Sequence, residues 1–231
     1  MSSPGGTGPA PAGLRRFTAA GATRAAARVH GEGPDSGHDA GRCEMCRDTL
    51  GGRHGHVVDV EQRSVLCACR ACYLLFTHEG SAGGRYRAVP ERVCHDPGRP
   101  IADQDWNELA IPVAMAFFFR NSALGRVVAG YPSPGGATEC ELDLAAWDRL
   151  AATHPLLAAM KPDVEAIFVN RAGDQAEAFL IPVDECYGLV GELRLRWQGF
   201  DGGAEVRAAI EEFLGGLRRR AVELRPADAE R

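Results

Sequence analysis

Residues 43–72 read CEMCRDTLGGRHGHVVDVEQRSVLCACRAC: two Cys-x2-Cys pairs, Cys43/Cys46 and Cys69/Cys72, with 22 residues between them. Each pair sets two thiolates on one tight turn, so both can reach the same ion. Between the pairs, residues 54–60 and 64–69 are β-rich runs around the polar Glu61-Gln62-Arg63, the pattern of a hairpin. A hairpin brings the two turns together, and four sulfurs can then close a tetrahedron. Zinc suits that geometry because it is borderline-soft and has no d-electron preference. In so short a module with few apolar groups, metal binding supplies much of the folding free energy. Cys43, Cys46, Cys69 and Cys72 are the expected ligands of a structural Zn2+ in a module spanning residues 41–78.

Other donors lie inside the same stretch. Cys67 offers a second frame, Cys67-x-Cys69-x2-Cys72, and reads as a core or spare thiol. His54 and His56 share a face of a strand, where either could replace a sulfur, although an exposed strand histidine is the commoner case. Rubredoxin also uses two Cys-x2-Cys turns, with iron, and usually carries glycine after the second cysteine of each. Arg47 and Tyr73 stand in those places here. The departure favours a zinc ribbon over a rubredoxin-like iron centre and leaves Fe as the alternative.

Outward from the module, residues 1–40 are rich in Gly, Ala, Pro and Ser. Such a segment buries too little apolar surface to offset its ordering entropy and reads as a disordered tail. The first dozen residues lack the basic-then-apolar pattern of a signal peptide, and no run reaches the ~18 apolar residues of a membrane span. A cytoplasmic protein is expected. In that reducing compartment paired thiols among the eight cysteines read as metal ligands or redox groups before structural disulfides. Net charge is −5, distributed as +1 over residues 1–40, +2 over 41–100 and −8 over 101–231. The slight basic excess around the cysteines argues against nucleic acid, which calls for a clear cationic face.

Residues 79–105, with Gly83, Gly84, Pro90, Pro97 and Pro100, read as a connector, and residues 226–231 as a short tail. Residues 106–225 read as an α+β domain. Strands are expected at 111–120 and 125–131, followed by a chain break at Pro132 to Gly136 and a helix carrying Leu142, Leu144, Trp147 and Leu150. A second hairpin, 164–170 with 176–183, leads to a helix opened by Asp184 as N-cap, and an amphipathic helix covers 205–224. Strand–strand–helix thus occurs twice, suggesting a ββα duplication: two hairpins in one antiparallel sheet with helices on one face.

No residue set spells out a reaction, so the reading leans against an enzyme and names no catalytic residue. Cys94-His95-Asp96 reads as a loop surface cluster. Cys140 and Cys186 lie near expected helix starts, where a dipole could stabilise a thiolate, but buried inert cysteines are preferred. Glu139, Glu141 and Asp143 read as a solvated acidic approach to a helix. No phosphate loop, dinucleotide fingerprint, nucleophile elbow or HExxH motif is present.

Cys43-Glu44-Met45-Cys46 with the run Val65 to Phe76, together with Ile181-Pro182-Val183-Asp184-Glu185-Cys186-Tyr187 and Trp197-x-Gly199-Phe200-Asp201-Gly202-Gly203, resembles an uncharacterised family of high-GC, actinobacterial-type proteins. The likeness covers about residues 41–222. Members of that family are often encoded near uptake nickel–iron hydrogenase genes. The resemblance therefore implies an accessory role in hydrogenase maturation, assembly or electron transfer, with a hydrogenase subunit or maturation factor as partner. The leading expectation is a zinc-ribbon accessory or adaptor protein. The alternatives are a rubredoxin-like electron carrier and a nucleic-acid-binding ribbon using Arg42, Arg47, Arg53, Arg63 and Arg70.

Overall fold

The computed structural model describes residues 41–172, 176–199 and 202–224; the tails expected at 1–40 and 226–231 lie outside the described residues. The hairpin expected between the cysteine pairs is there: β1 (Gly55–Asp59) pairs antiparallel with β2 (Ser64–Ala68). Asp59, almost fully buried, organises the turn. Its Oδ1 accepts the Gln62 N–H at 3.0 Å, and its Oδ2 accepts Arg85 Nη2 at 2.7 Å. Helix α1 (Arg70–Leu75) starts at the second cysteine pair.

The stretch read as a connector contributes to both sheets. β3 (Tyr86–Ala88) pairs with β1 and makes the ribbon a three-stranded sheet, ordered β2-β1-β3. β4 (Cys94–His95) joins the large sheet, and α2 (Asp103–Glu108) follows. Strands of two or three residues carry no readable periodicity; their partners, 27 or more residues away, make them strands.

The domain continues with β5 (Met115–Asn121), β6 (Arg126–Ser133), β7 (Gly136–Cys140), α3 (Leu144–Thr153), α4 (Pro155–Ala158), β8 (Glu165–Asn170), β9 (Glu177–Pro182), α5 (Val183–Arg196), α6 (Gly203–Arg220) and β10 (Val222–Glu223). The large sheet has seven strands, ordered β10-β4-β9-β8-β5-β6-β7. It is antiparallel except at one edge, where β10 runs parallel to β4.

The expected break at Pro132 to Gly136 is a hairpin. Pro132 sits inside β6, paired with Ala137, beyond the last pairing of β6 with β5 at Gly130. One side of β6 has no strand partner there, so a missing N–H is tolerated. Helix α5 begins at Val183 with Pro182 as its N-cap, and Asp184 is a first-turn residue instead of the cap.

The helices cover both faces of the sheet, not one. Side chains alternate along a strand, so Phe118 and Ile167 face α3 and α4 with Trp147, Leu156 and Leu157. Phe117 and Phe168 face α5 and α6 with Leu189, Leu193, Leu214 and Leu217. The inner strands are apolar on both faces, and each face requires a cover. The hairpins do correspond in register: Phe117 lies opposite Phe168, while Phe117 pairs with Gly130 as Phe168 pairs with Phe179. The correspondence stops at the helices, because β7 intervenes and α3 enters on the other face.

The ribbon is seated on this domain. Val58 of β1 and Val89, just past β3, pack with Val164 and Val183, flanked by Val60, Val65 and Tyr187. Two ion pairs frame the seam: Arg87 Nη1 to Asp163 Oδ2 at 2.9 Å, and His56 Nδ1 to Asp184 Oδ2 at 2.6 Å.

Candidate metal centre

The first cysteine turn is closed by backbone bonds, Arg47 N–H to Cys43 O at 2.8 Å and Cys43 N–H to Asp48 O at 2.8 Å. Arg47 follows the second cysteine with φ of 68°, the left-handed region that favours glycine. The second turn is the first turn of α1, with Tyr73 N–H on Cys69 O at 2.9 Å. Tyr73 lies against Gly55 so closely that a Cβ there would meet its ring at 2.4 Å, and its hydroxyl donates to Val89 O at 3.0 Å. Glu44 ties the first turn to β2: its N–H donates to Cys67 O at 2.9 Å, and its carboxylate accepts the Cys67 N–H at 2.7 Å. Nothing in the spacing marks Glu44 for that task.

These constraints bring Cys43, Cys46, Cys69 and Cys72 together, with their four sulfurs within 4.8 Å of one another. The Cys46 and Cys69 sulfurs are 3.6 Å apart. A tetrahedral zinc with Zn–S near 2.3 Å needs sulfur edges of about 3.8 Å, so the donor set fits such an ion in both chemistry and size. Cys43 and Cys72 are buried, Cys69 is half-buried and Cys46 is exposed. One edge of the tetrahedron therefore faces solvent.

The thiols of Cys43, Cys46 and Cys72 do not ionise alike. Burial pushes Cys43 up, but N–H groups of Cys46, Cys69 and Met45 outweigh it and bring its pKa down to about 6. Cys72 is pushed up to about 12 by burial and by the sulfurs of Cys46, Cys69 and Cys43. The Asp48 N–H favours the Cys46 thiolate, yet the neighbouring Cys43 and Cys69 sulfurs leave it raised overall. Like charges crowded this closely resist ionisation together. A divalent cation at the centre would remove that conflict for all four.

The remaining candidates separate. His54, His56 and Cys67 form a second cluster whose donor atoms also lie within 4.8 Å of one another. Cys94 and His95 are not a surface loop: they form β4, Cys94 is buried in the core, and His95 stacks on Phe179 with ring centroids 6.3 Å apart. Cys140 ends β7 instead of starting a helix, and burial raises its thiol. Cys186 lies in the first turn of α5 but is fully buried, and burial lifts its thiol well above the usual range. Glu139 is a β7 residue paired with Arg126 at 3.4 Å, whereas Asp143 caps α3 by accepting the Ala146 N–H at 2.9 Å. None of the eight cysteines is in a disulfide. Arg42, Arg47, Arg53, Arg63 and Arg70 are exposed around the ribbon. No helix among the described residues is long and apolar enough to cross a membrane.

The chain is thus an α+β protein carrying a four-cysteine cluster able to hold a metal ion. It belongs to the family of unknown function DUF5947, whose match extends over residues 42–221 and so takes in both the cysteine module and the sheet domain. No curated protein and no solved structure matches the chain.

Proposed function

We propose that this protein is a non-enzymatic accessory or adaptor protein of the cytoplasm, in which Cys43, Cys46, Cys69 and Cys72 hold a structural Zn2+. The observation that carries the reading is the convergence of four sulfurs within 4.8 Å of one another, with 3.6 Å between Cys46 and Cys69. Such a site is complete with protein ligands and leaves no position for a substrate. The ion would brace α1, on which Leu74 and Leu75 are 51% and 65% exposed. Neighbouring exposed leucines on a rigid helix suit a protein partner. The partner class follows from the family resemblance: a nickel–iron hydrogenase subunit or maturation factor.

Metal analysis with a visible spectrum on anaerobically purified protein tests the site. Zinc without colour supports the structural reading. Iron with a reducible visible band would instead make the chain an electron carrier, a second reading favoured by the solvent-facing Cys46 edge. Affinity capture from the native host tests the partner: hydrogenase components should be recovered, and less so with Leu74→Asp/Leu75→Asp at unchanged metal content. Recovery of none would remove that partner class.

A further inference from the structure

The register of the ribbon hairpin sets His56 directly opposite Cys67, and His54, just before β1, brings its ring to within 5.0 Å of the His56 ring, centroid to centroid. This is the second cluster, with one donor atom from each residue inside a 4.8 Å envelope. Tetrahedral coordination by two imidazoles and a thiolate needs edges of about 3.3 to 3.5 Å, so closing the cluster takes side-chain adjustments on the order of 1 Å.

The second layer of contacts is what a metal site requires. A ligating histidine donates its other ring N–H to a carbonyl or carboxylate, which fixes the tautomer and aims the free lone pair. Both rings meet that condition, each through Nδ1. His54 Nδ1 lies 3.3 Å from the carbonyl oxygen of Gly51, and His56 Nδ1 lies 2.6 Å from Asp184 Oδ2. A carbonyl can only accept, so the His54 proton is on Nδ1 and Nε2 is the ligating nitrogen; on His56 the Nδ1 proton faces Asp184 in the same way, and a metal ion would displace the Nε2 proton of the imidazolium. The other Asp184 oxygen, Oδ1, is buried and makes no hydrogen bond. A divalent ion with one thiolate leaves one positive charge, which the Asp184 carboxylate would balance.

We infer that His54, His56 and Cys67 form a second transition-metal site, oriented by Asp184, at the seam between the ribbon and α5. Two imidazoles and a thiolate suit Zn2+ or Co2+. Three protein ligands leave a fourth position for water or an exogenous donor, unlike the closed four-cysteine site. The same side chains also invite comparison with a Cys-His-Asp nucleophile. That reading is weaker, because the Cys67 N–H is already taken by the Glu44 carboxylate and cannot serve a developing oxyanion. His54 would also have no task in it. The ligands come from the ribbon, while the orienting carboxylate comes from the first turn of α5. Occupancy of the site would therefore tighten the seam.

Zinc and cobalt titrations of the full-length, reduced, metal-stripped protein test the inference. Wild type should bind two equivalents, and His54→Gln should bind one, with the cobalt spectrum of the four-cysteine site retained in both. Cys67→Ser should behave as His54→Gln does. Because Cys67 is also a core residue, X-ray absorption on zinc-loaded wild type gives a reading that needs no variant: a mixed nitrogen–sulfur shell is expected, and an all-sulfur shell would overturn the inference. One equivalent in wild type, or two in His54→Gln, would also overturn it. Either of these results leaves the four-cysteine site standing, so the two readings fail separately.

Discussion

The ribbon and the sheet domain bury different kinds of side chain. Under the ribbon the buried cluster is Cys43, Leu50, Val57, Cys67, Ala68 and Cys72, half of it thiol. The domain buries Trp147, Phe118, Phe168, Ile167, Leu180 and Leu214 among others, in layers on both faces of one sheet. Aromatic and aliphatic burial stabilises the domain without help. The thiols contribute little by that route, and the crowded sulfurs hold the Cys46 and Cys72 thiols above their ordinary pKa. The difference teaches that hydrophobic burial holds the sheet, whereas the ribbon's buried cluster offers thiols that a bound metal ion could cross-link, although one continuous seam joins the two.

The largest expected effect comes from taking the metal away. Structural zinc contributes about 10–16 kcal/mol in small metal-dependent modules. Chelation, or Cys46→Ser or Cys69→Ser, should therefore abolish hydrogen-exchange protection in β1 and β2 while β5 and β8 keep theirs. Simultaneous loss in both regions would break the contrast. Phe168→Ala sits at the opposite pole: denaturant unfolding should show a loss of about 3–5 kcal/mol, with metal content unchanged.

Smaller changes sharpen the picture inside the ribbon. Gly55→Ala drives a methyl into the Tyr73 ring, which the Val89 carbonyl pins, and should cost about 1–3 kcal/mol in thermal unfolding of the ribbon. Asp59→Asn should destabilise the same sheet by about 1–2 kcal/mol at neutral pH. Burial raises the Asp59 carboxyl, but Arg85 and the N–H groups of Gln62 and Glu61 prevail and hold it below its ordinary value. Its contribution is thus fully present above pH ~4 and is lost as pH falls through the depressed folded value. The deficit of the variant relative to wild type should shrink in acid; a deficit that grows would contradict the assignment. Cys140→Ser, at a half-buried strand end, should change stability by no more than about 0.5–1 kcal/mol and leave metal binding intact.

Much of the candidate site was legible because its information is local. Two Cys-x2-Cys turns and a β-rich run between them specify a hairpin and a four-sulfur cluster without reference to the rest of the chain. The hairpins of β5 with β6 and β8 with β9 were legible for the same reason. Glu44 and Asp184 were not. Glu44 matters through backbone atoms of Cys67, 23 residues away. Asp184 reads as a helix cap by its position, but its partner His56 lies 128 residues earlier. The prolines at 132 and 134 signalled an interruption; whether a proline ends a strand or rides on its unpaired side depends on which neighbours the sheet supplies.

Sequence by itself determined the chemistry and the local units: thiol pairs at ligand spacing, amphipathic helices, and strands apolar on successive residues. Tertiary structure alone decided that helices cover both faces, that residues 79–105 feed two sheets, and that His56, clustered with His54 and Cys67, meets an α5 carboxylate. The physical reason is range. Side-chain periodicity and turn chemistry act over a few residues, whereas β3, β4 and β10 exist only because distant strands offer them hydrogen-bond partners, as Val222 finds Cys94 across the edge of the sheet.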